Sequence, residues 1–248
     1  MASTTDKTFW EHLDDLRALL LRSLVVVLGA AVVCFCLKDE LFAVVLAPLR
    51  PDFLLYRVLA VPPPDFGAGL VNTRLSGQLM MHLKLAVGAG LCCSVPVLAW
   101  LGARYLGPAL YPRERRALGG AFAAGGLLFA LGVSVAYILV FPLAYRFLAG
   151  YEVSASVTNM ITLDSYVDNL LTLCLVMGVL FELPVVARVL SAAGLVDRGL
   201  MRRYRRHAIV CIVTLAAVVT PTTDALTLAL VSLPVWLLYE ASVLVVKK

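Results

Sequence analysis

The chain has 248 residues, 61% of them apolar and 15% charged, with a mean hydropathy of +0.92. Soluble globular chains carry about 45–50% apolar and about 25% charged residues, so a water-soluble domain is excluded and a single all-α membrane domain over residues 1–248 is expected. The net charge of +5 sits in a few short arginine-bearing loops rather than on a continuous basic face, so nucleic acid is not an expected partner.

In chain order, the first 17 residues hold Asp6, Glu11, Asp14 and Asp15 against Lys7 and Arg17. A net-acidic start is unlike a secretory signal, so the first apolar run, Ala18–Leu37, is expected to stay in the mature protein. Ahead of it, Phe9, Leu13, Leu16 and Leu20 form a helical apolar stripe that predicts a segment lying in the membrane interface. The next stretch, Lys38 to Ser76, carries Pro48, Pro51 and Pro62-Pro63-Pro64, which no regular helix accommodates; it reads as an ordered cap over the helix ends. Further apolar runs cover Gly77–Ala103, Ala117–Phe141, Tyr166–Ala193, Ala208–Val219 and Ala225–Val246. Crossing about 30 Å of hydrocarbon takes about 20 helical residues. The run Ala208–Val219 is shorter, at about 18 Å by the same rise, and reads as a short span that thins the bilayer around it. Thr220-Pro221-Thr222-Thr223-Asp224 then turns the chain into the sixth span.

Charge asymmetry sets the expected orientation. With the N-terminus in the cytoplasm, the cytoplasmic segments hold fourteen Lys and Arg residues, among them Arg104, Arg113, Arg115, Arg116 and the group Arg198 to Arg206. The opposite side holds five: Lys38, Arg50, Arg57, Arg74 and Arg146. Both termini are therefore expected inside.

Several polar groups need a reason. Glu182, in Phe181-Glu182-Leu183-Pro184, lies within an apolar run, where a charge costs at least about 2.5–3.5 kcal/mol by insertion scales. Pro184 also frees the carbonyl of Leu180 and predicts a kink. Either Glu182 caps that broken helix, or it contacts a ligand or takes part in a helix rearrangement. Glu114 stands among Arg113, Arg115 and Arg116, an ordinary setting for a surface ion pair. Asp15 reads as a solvated acid, and Asp224 as an N-cap for the sixth helix. The six cysteines all fall in apolar runs without metal-ligand spacing, and His12, His82 and His207 are scattered. No metal, cofactor or catalytic motif is therefore expected, and no enzyme activity. A secondary transporter with Glu182 as proton relay is the alternative, but the halves of the chain show no repeat of the kind such folds use.

Read together, the motifs resemble TatC, the receptor subunit of the twin-arginine protein translocase. They run in order through nearly the whole chain: His12-Leu13 and Asp15-Leu16-Arg17; Ala47-Pro48-Leu49; Lys84-Leu85 and Val95-Pro96-Val97; Pro108-Ala109-Leu110-Tyr111 with Glu114-Arg115-Arg116; Ala136-Tyr137 and Phe141-Pro142-Leu143; Phe181-Glu182-x-Pro184-Val185; and Thr220-Pro221 with Asp224 beyond. The resemblance implies a six-helix, glove-shaped receptor in the inner membrane whose fifth and sixth helices are short. It implies binding of the twin-arginine signal peptide of folded cargo on the cytoplasmic face, association with single-span TatA and TatB partners and with other copies of itself, and export driven by the proton-motive force. By position, Asp15 and Glu114 would face the paired arginines, with Arg17 and Tyr105 beside them. Glu182, Pro48, Lys84, Tyr137 and Asp224 would supply intramembrane polar or partner contacts.

This chain also departs from the family pattern. The first-segment acid, usually Glu, is Asp15, and a position that is often Gln is Leu228. The usual Tyr-Gln pair before the first cytoplasmic loop reads Trp100-Leu101. Ala103 replaces a frequent Trp, and the tail after the last span is only Lys247-Lys248.

Overall fold

The computed structural model describes residues 9–59, 70–106, 112–151, 154, 160–192, 194–220 and 224–246. Among them the chain is helical, with one isolated parallel bridge between Val71 and Thr162. Helix α1 (Phe9–Cys36) runs unbroken for 28 residues. The interfacial segment expected ahead of the first span is thus part of that span's own helix. No Gly or Pro stands between Phe9 and Leu28 to interrupt it. The chain then forms α2 (Lys38–Val45), a 3-10 turn at Ala47–Leu49 and α3 (Leu54–Leu59). The cap thus carries two short helices where the prolines predicted none, with Pro48 and Pro51 standing between them and Pro62-Pro63-Pro64 outside the described residues.

Helix α4 (Gly77–Leu106) returns antiparallel to α1. The Phe35 ring stacks on His82 at 4.1 Å, while further along a Cβ on Gly90 would stand only 2.5 Å from the Ala31 nitrogen. The missing side chain at Gly90 is what lets the two backbones touch. Helix α5 (Pro112–Val135) runs back along α4 and continues through a π-turn, Ala136–Val140, into α6 (Phe141–Ala149). The sequence reading ends this run at Phe141, but the helical rod goes on to Ala149. A proline is tolerated in the first turn of a helix, where its missing N–H leaves nothing unpaired, and Pro142 sits there in α6, just after the widened π-turn.

Helix α7 (Leu163–Leu180), N-capped by the Thr162 hydroxyl, is separated from α8 (Leu183–Ala192) by a break at Phe181–Glu182. This is the interruption that Pro184 predicts. Short α9 (Arg198–Arg203), α10 (Arg205–Val219) and α11 (Ala225–Val245) complete the chain. Val140, Phe141, Tyr166, Val167 and Met177 are buried together with Val231 and Val235 of α11, joining the α5–α6 rod, α7 and α11 in one core.

Among the described residues, five segments are long and apolar enough to cross a membrane: Leu13–Cys36, Gly77–Tyr105, Phe122–Ala149, Leu163–Ser191 and Ala225–Leu244. Large apolar side chains such as Leu20, Leu24, Leu28, Leu127 and Leu233 stand exposed on them, as faces turned to lipid must, while helical pairing keeps the backbone satisfied. The protein is a helical, multi-pass membrane protein. Helix α10, of 15 residues, reaches only about 22 Å by the helical rise. The 21-residue α11 is shorter than α1, α4 and α5 but, at about 31 Å, still long enough to cross, so of the short fifth and sixth helices expected only the fifth is markedly short.

Candidate functional site: a carboxyl in an apolar groove

At the cap end, three tyrosines donate to backbone carbonyls at the ends of short helices. The Tyr137 hydroxyl donates to the Val44 carbonyl at 2.5 Å, that of Tyr166 to the Val45 carbonyl at 2.8 Å, and that of Tyr56 to the Pro48 carbonyl at 3.0 Å. Burial pushes the Tyr56 hydroxyl's pKa up, opposed by the nearby Arg146 charge, so it remains a donor. Phe53 meets Tyr137 edge-on at 5.6 Å, and Tyr166 meets Phe141 and Tyr145 in the same way. Pro48 and Tyr137 are thus parts of one anchor holding the cap on the bundle. Lys84 of α4 forms an ion pair with Asp168 of α7. Asp224 caps α11, its Oδ2 accepting from the Thr227 N–H at 2.8 Å.

Glu182 lies apart from these four. Its carboxyl packs on α5 at Gly125, and Gly125 and Tyr137 are twelve residues apart in one rod, roughly 18 Å along the axis. The local backbone explains its position. Without an N–H at Pro184, the chain tightens: the Glu182 N–H donates to the Val179 carbonyl at 3.0 Å, and the Glu182 carbonyl accepts from both Val185 and Val186. The side chain is thereby turned into a groove of about 520 Å³ between α4, α5 and the α7–α8 break. Val95, Leu98, Phe122, Phe129, Val186 and Leu190 are among its walls, and among the described residues Glu182 is the one ionisable side chain lining it. Across the groove Pro96 interrupts the hydrogen bonding of α4, and Gly126 packs opposite it.

The antiparallel packing of α1, α4 and α5 brings the start of α1, the end of α4 and the start of α5 to one end of the bundle, away from the cap. That end carries Asp15, half-buried, and exposed Arg17 in the second turn of α1, together with half-buried Tyr105 in the last turn of α4. Glu114 falls in the first turn of α5, where only the backbone is described, and the loop 107–111 lies outside the described residues. At the same end the Arg205 guanidinium donates to Glu240 Oε2 at 2.6 Å, and the Tyr239 hydroxyl to the Met201 carbonyl at 2.7 Å. These bonds tie α9 and α10 to α11 and give the Glu240 carboxylate a partner. Among the described residues, no three His, Cys, Asp or Glu side chains gather as metal ligands.

Residues 11–234 match the family model of the Sec-independent protein translocase protein (TatC). The chain belongs to the TatC family. It is 37% identical over 235 residues to the TatC of Deinococcus radiodurans, covering 94% of this chain and 83% of that one. To the TatC of Koribacter versatilis it is 32% identical, with 95% and 83% covered. Two crystal structures of the twin-arginine translocase receptor TatC share its fold at 28% identity. One superposes with a TM-score of 0.76 over 95% of this chain and 97% of that one. The other, in DDM, gives 0.79 over 96% and 100%. A TatC is a protein-transport component, so the groove and the arginine-bearing end belong to a Sec-independent protein translocase.

The sequence singled out Glu182 but not Gly125, Asp168 or Tyr166, which hold the polar groups in place. The adjacent pair Gly125-Gly126 inside an apolar run was the one available signal for the first.

Proposed function

We propose that this chain is the receptor subunit of a twin-arginine translocase in the cytoplasmic membrane. It binds the twin-arginine signal peptides of folded proteins and acts by binding rather than by catalysis. Six spans, with α10 as the short fifth, hold both termini in the cytoplasm. Asp15 and Glu114 read the paired arginines, with Arg17 and Tyr105 framing the same surface, and the groove beside Glu182 receives the apolar run that follows the arginines. Single-span TatA- and TatB-type proteins and further copies of the chain assemble with it, with Pro48, Lys84, Tyr137 and Asp224 supporting contacts on the cap side. The proton-motive force drives export.

The observation that supports this reading best is the convergence of the Asp15, Tyr105 and Glu114 helix ends at one end of the bundle, above an apolar groove. Arginine presents a planar fork that a carboxylate accepts in two bonds, which lysine cannot copy. Glu114→Gln keeps the size and loses the charge; losing about 1.4–3 kcal/mol weakens binding by roughly 10- to 150-fold. Equilibrium binding of a twin-arginine peptide and a twin-lysine control to the full chain in nanodiscs tests this. Equal weakening of both peptides sinks the assignment of Glu114. Reporter fusions after Arg115 and Arg203 that read as extracytoplasmic sink the orientation.

A further inference from the structure

The Glu182 carboxyl does not stand free in the groove. It is pressed against α5 at Gly125, where a Cβ would lie 2.8 Å from Oε2, 3.2 Å from Oε1 and 3.4 Å from Cδ. Contacts under 3.0 Å are not tolerated, so any side chain at Gly125 must displace the carboxyl. The way out is into the groove, whose remaining walls, among the described residues, are apolar. We propose that Gly125 is a positioning residue: by having no side chain, it gives the Glu182 carboxyl a berth in the groove wall and leaves the groove an apolar channel. The chemistry served is that of an uncharged, leucine-rich peptide segment, which a protruding carboxylate would repel because burying it beside a charge strips the charge of solvent.

Helix propensity separates this role from a general one. Alanine is the better helix former, so Gly125→Ala by itself favours α5. A loss in Gly125→Ala therefore reports on what the methyl group strikes. The berth makes a size-compensation prediction. Glu182→Asp shortens the side chain by one C–C bond, about 1.5 Å, and withdraws the carboxyl from the space the alanine methyl takes.

This inference rests on the proposed reading of the groove, and the test separates the two. The full chain in nanodiscs carries a photo-crosslinking amino acid at Val186, a groove wall. The probe is a synthetic twin-arginine signal peptide with a leucine-rich run. With Gly125 intact the peptide crosslinks at Val186; a peptide that binds but crosslinks only outside the groove overturns the reading of the groove, and this inference with it. Where that crosslink forms, Gly125→Ala lowers binding by about tenfold, taking a protruding carboxylate as a buried polar group left without a partner. Gly125→Ala with Glu182→Asp restores most of it. Undiminished binding in Gly125→Ala overturns the proposal while leaving the reading of the groove in place, and so does a loss that Glu182→Asp leaves unrepaired. Should Gly125→Ala fail to insert, recovery of insertion by Glu182→Asp reads the same clash, and no recovery overturns it.

Discussion

The cap and the groove treat polar atoms in opposite ways. Under the cap, the carbonyls of Val44, Val45 and Pro48 each receive a tyrosine hydroxyl, and the rings supplying them pack edge-to-face in a buried cluster. In the groove, a single carboxyl lies between two proline-interrupted helices with valine, leucine and phenylalanine around it. Burying a polar group is tolerable when it is hydrogen-bonded, and a satisfied network rigidifies what it joins. The cap is therefore scaffold, fixing the ends of α4, the α5–α6 rod and α7 relative to each other. The groove retains a charge-capable group at a cost that packing alone does not explain, at the place where two helices have lost a backbone hydrogen bond and bend most easily.

If that contrast is right, the two regions fail differently. Glu182→Ala removes the costly group, so the protein should insert and assemble as before while transport falls, by about tenfold for each ~1.4 kcal/mol of transition-state stabilisation lost. Transport assays on inverted vesicles with matched protein levels measure it, and a wild-type rate would make Glu182 a structural cap. Tyr166→Phe is the converse experiment. Tyr166 is fully buried, and losing its hydroxyl strands the Val45 carbonyl, a cost of about 1–3 kcal/mol. Thermal unfolding in detergent should show a lower Tm, while any protein that survives should bind a twin-arginine peptide with unchanged affinity. A change in affinity without a change in Tm would show that the cap is not merely scaffold.

Much of this architecture is legible in the sequence because lipid permits so few solutions. Runs of apolar residues give the spans, and Pro184 gives the break between α7 and α8. Glu182 stands out because a carboxyl there has no cheap explanation. At the start of α1 the apolar stripe predicts an interfacial segment, and with no helix breaker in between, the propagation of backbone hydrogen bonds carries that segment and the span through as one helix. Partners are the part that sequence does not carry. Asp168 is 84 positions from Lys84, and Glu240 is 35 from Arg205. Gly125 has no side chain to announce a role, and only the approach of Glu182 in the folded chain gives it one.

The Lys84–Asp168 pair belongs to neither region and offers the smallest, sharpest test. It joins α4 to α7 one to two turns in from the cap, roughly 10 Å along α4 and about 8 Å along α7 by the helical rise. Both side chains are about half exposed, at 50% and 44%. Exposed pairs contribute up to about 1 kcal/mol once screening and side-chain ordering are counted. Were the pair scaffold in the manner of the tyrosines, Asp168→Asn and Lys84→Met would each lower Tm slightly. The double variant would lower it by less than the sum, since the second change removes a charge the first left unpartnered. Were Lys84 instead a contact for a partner protein, Lys84→Met would reduce copurification of that partner, Asp168→Asn would not, and the double variant would match Lys84→Met alone. A double-mutant cycle read twice, once in Tm and once in partner recovery, distinguishes the two. A coupling energy well above about 1 kcal/mol would mean that the site is drier than its exposure suggests. The pair would then join the cap as part of the rigid frame against which the groove works.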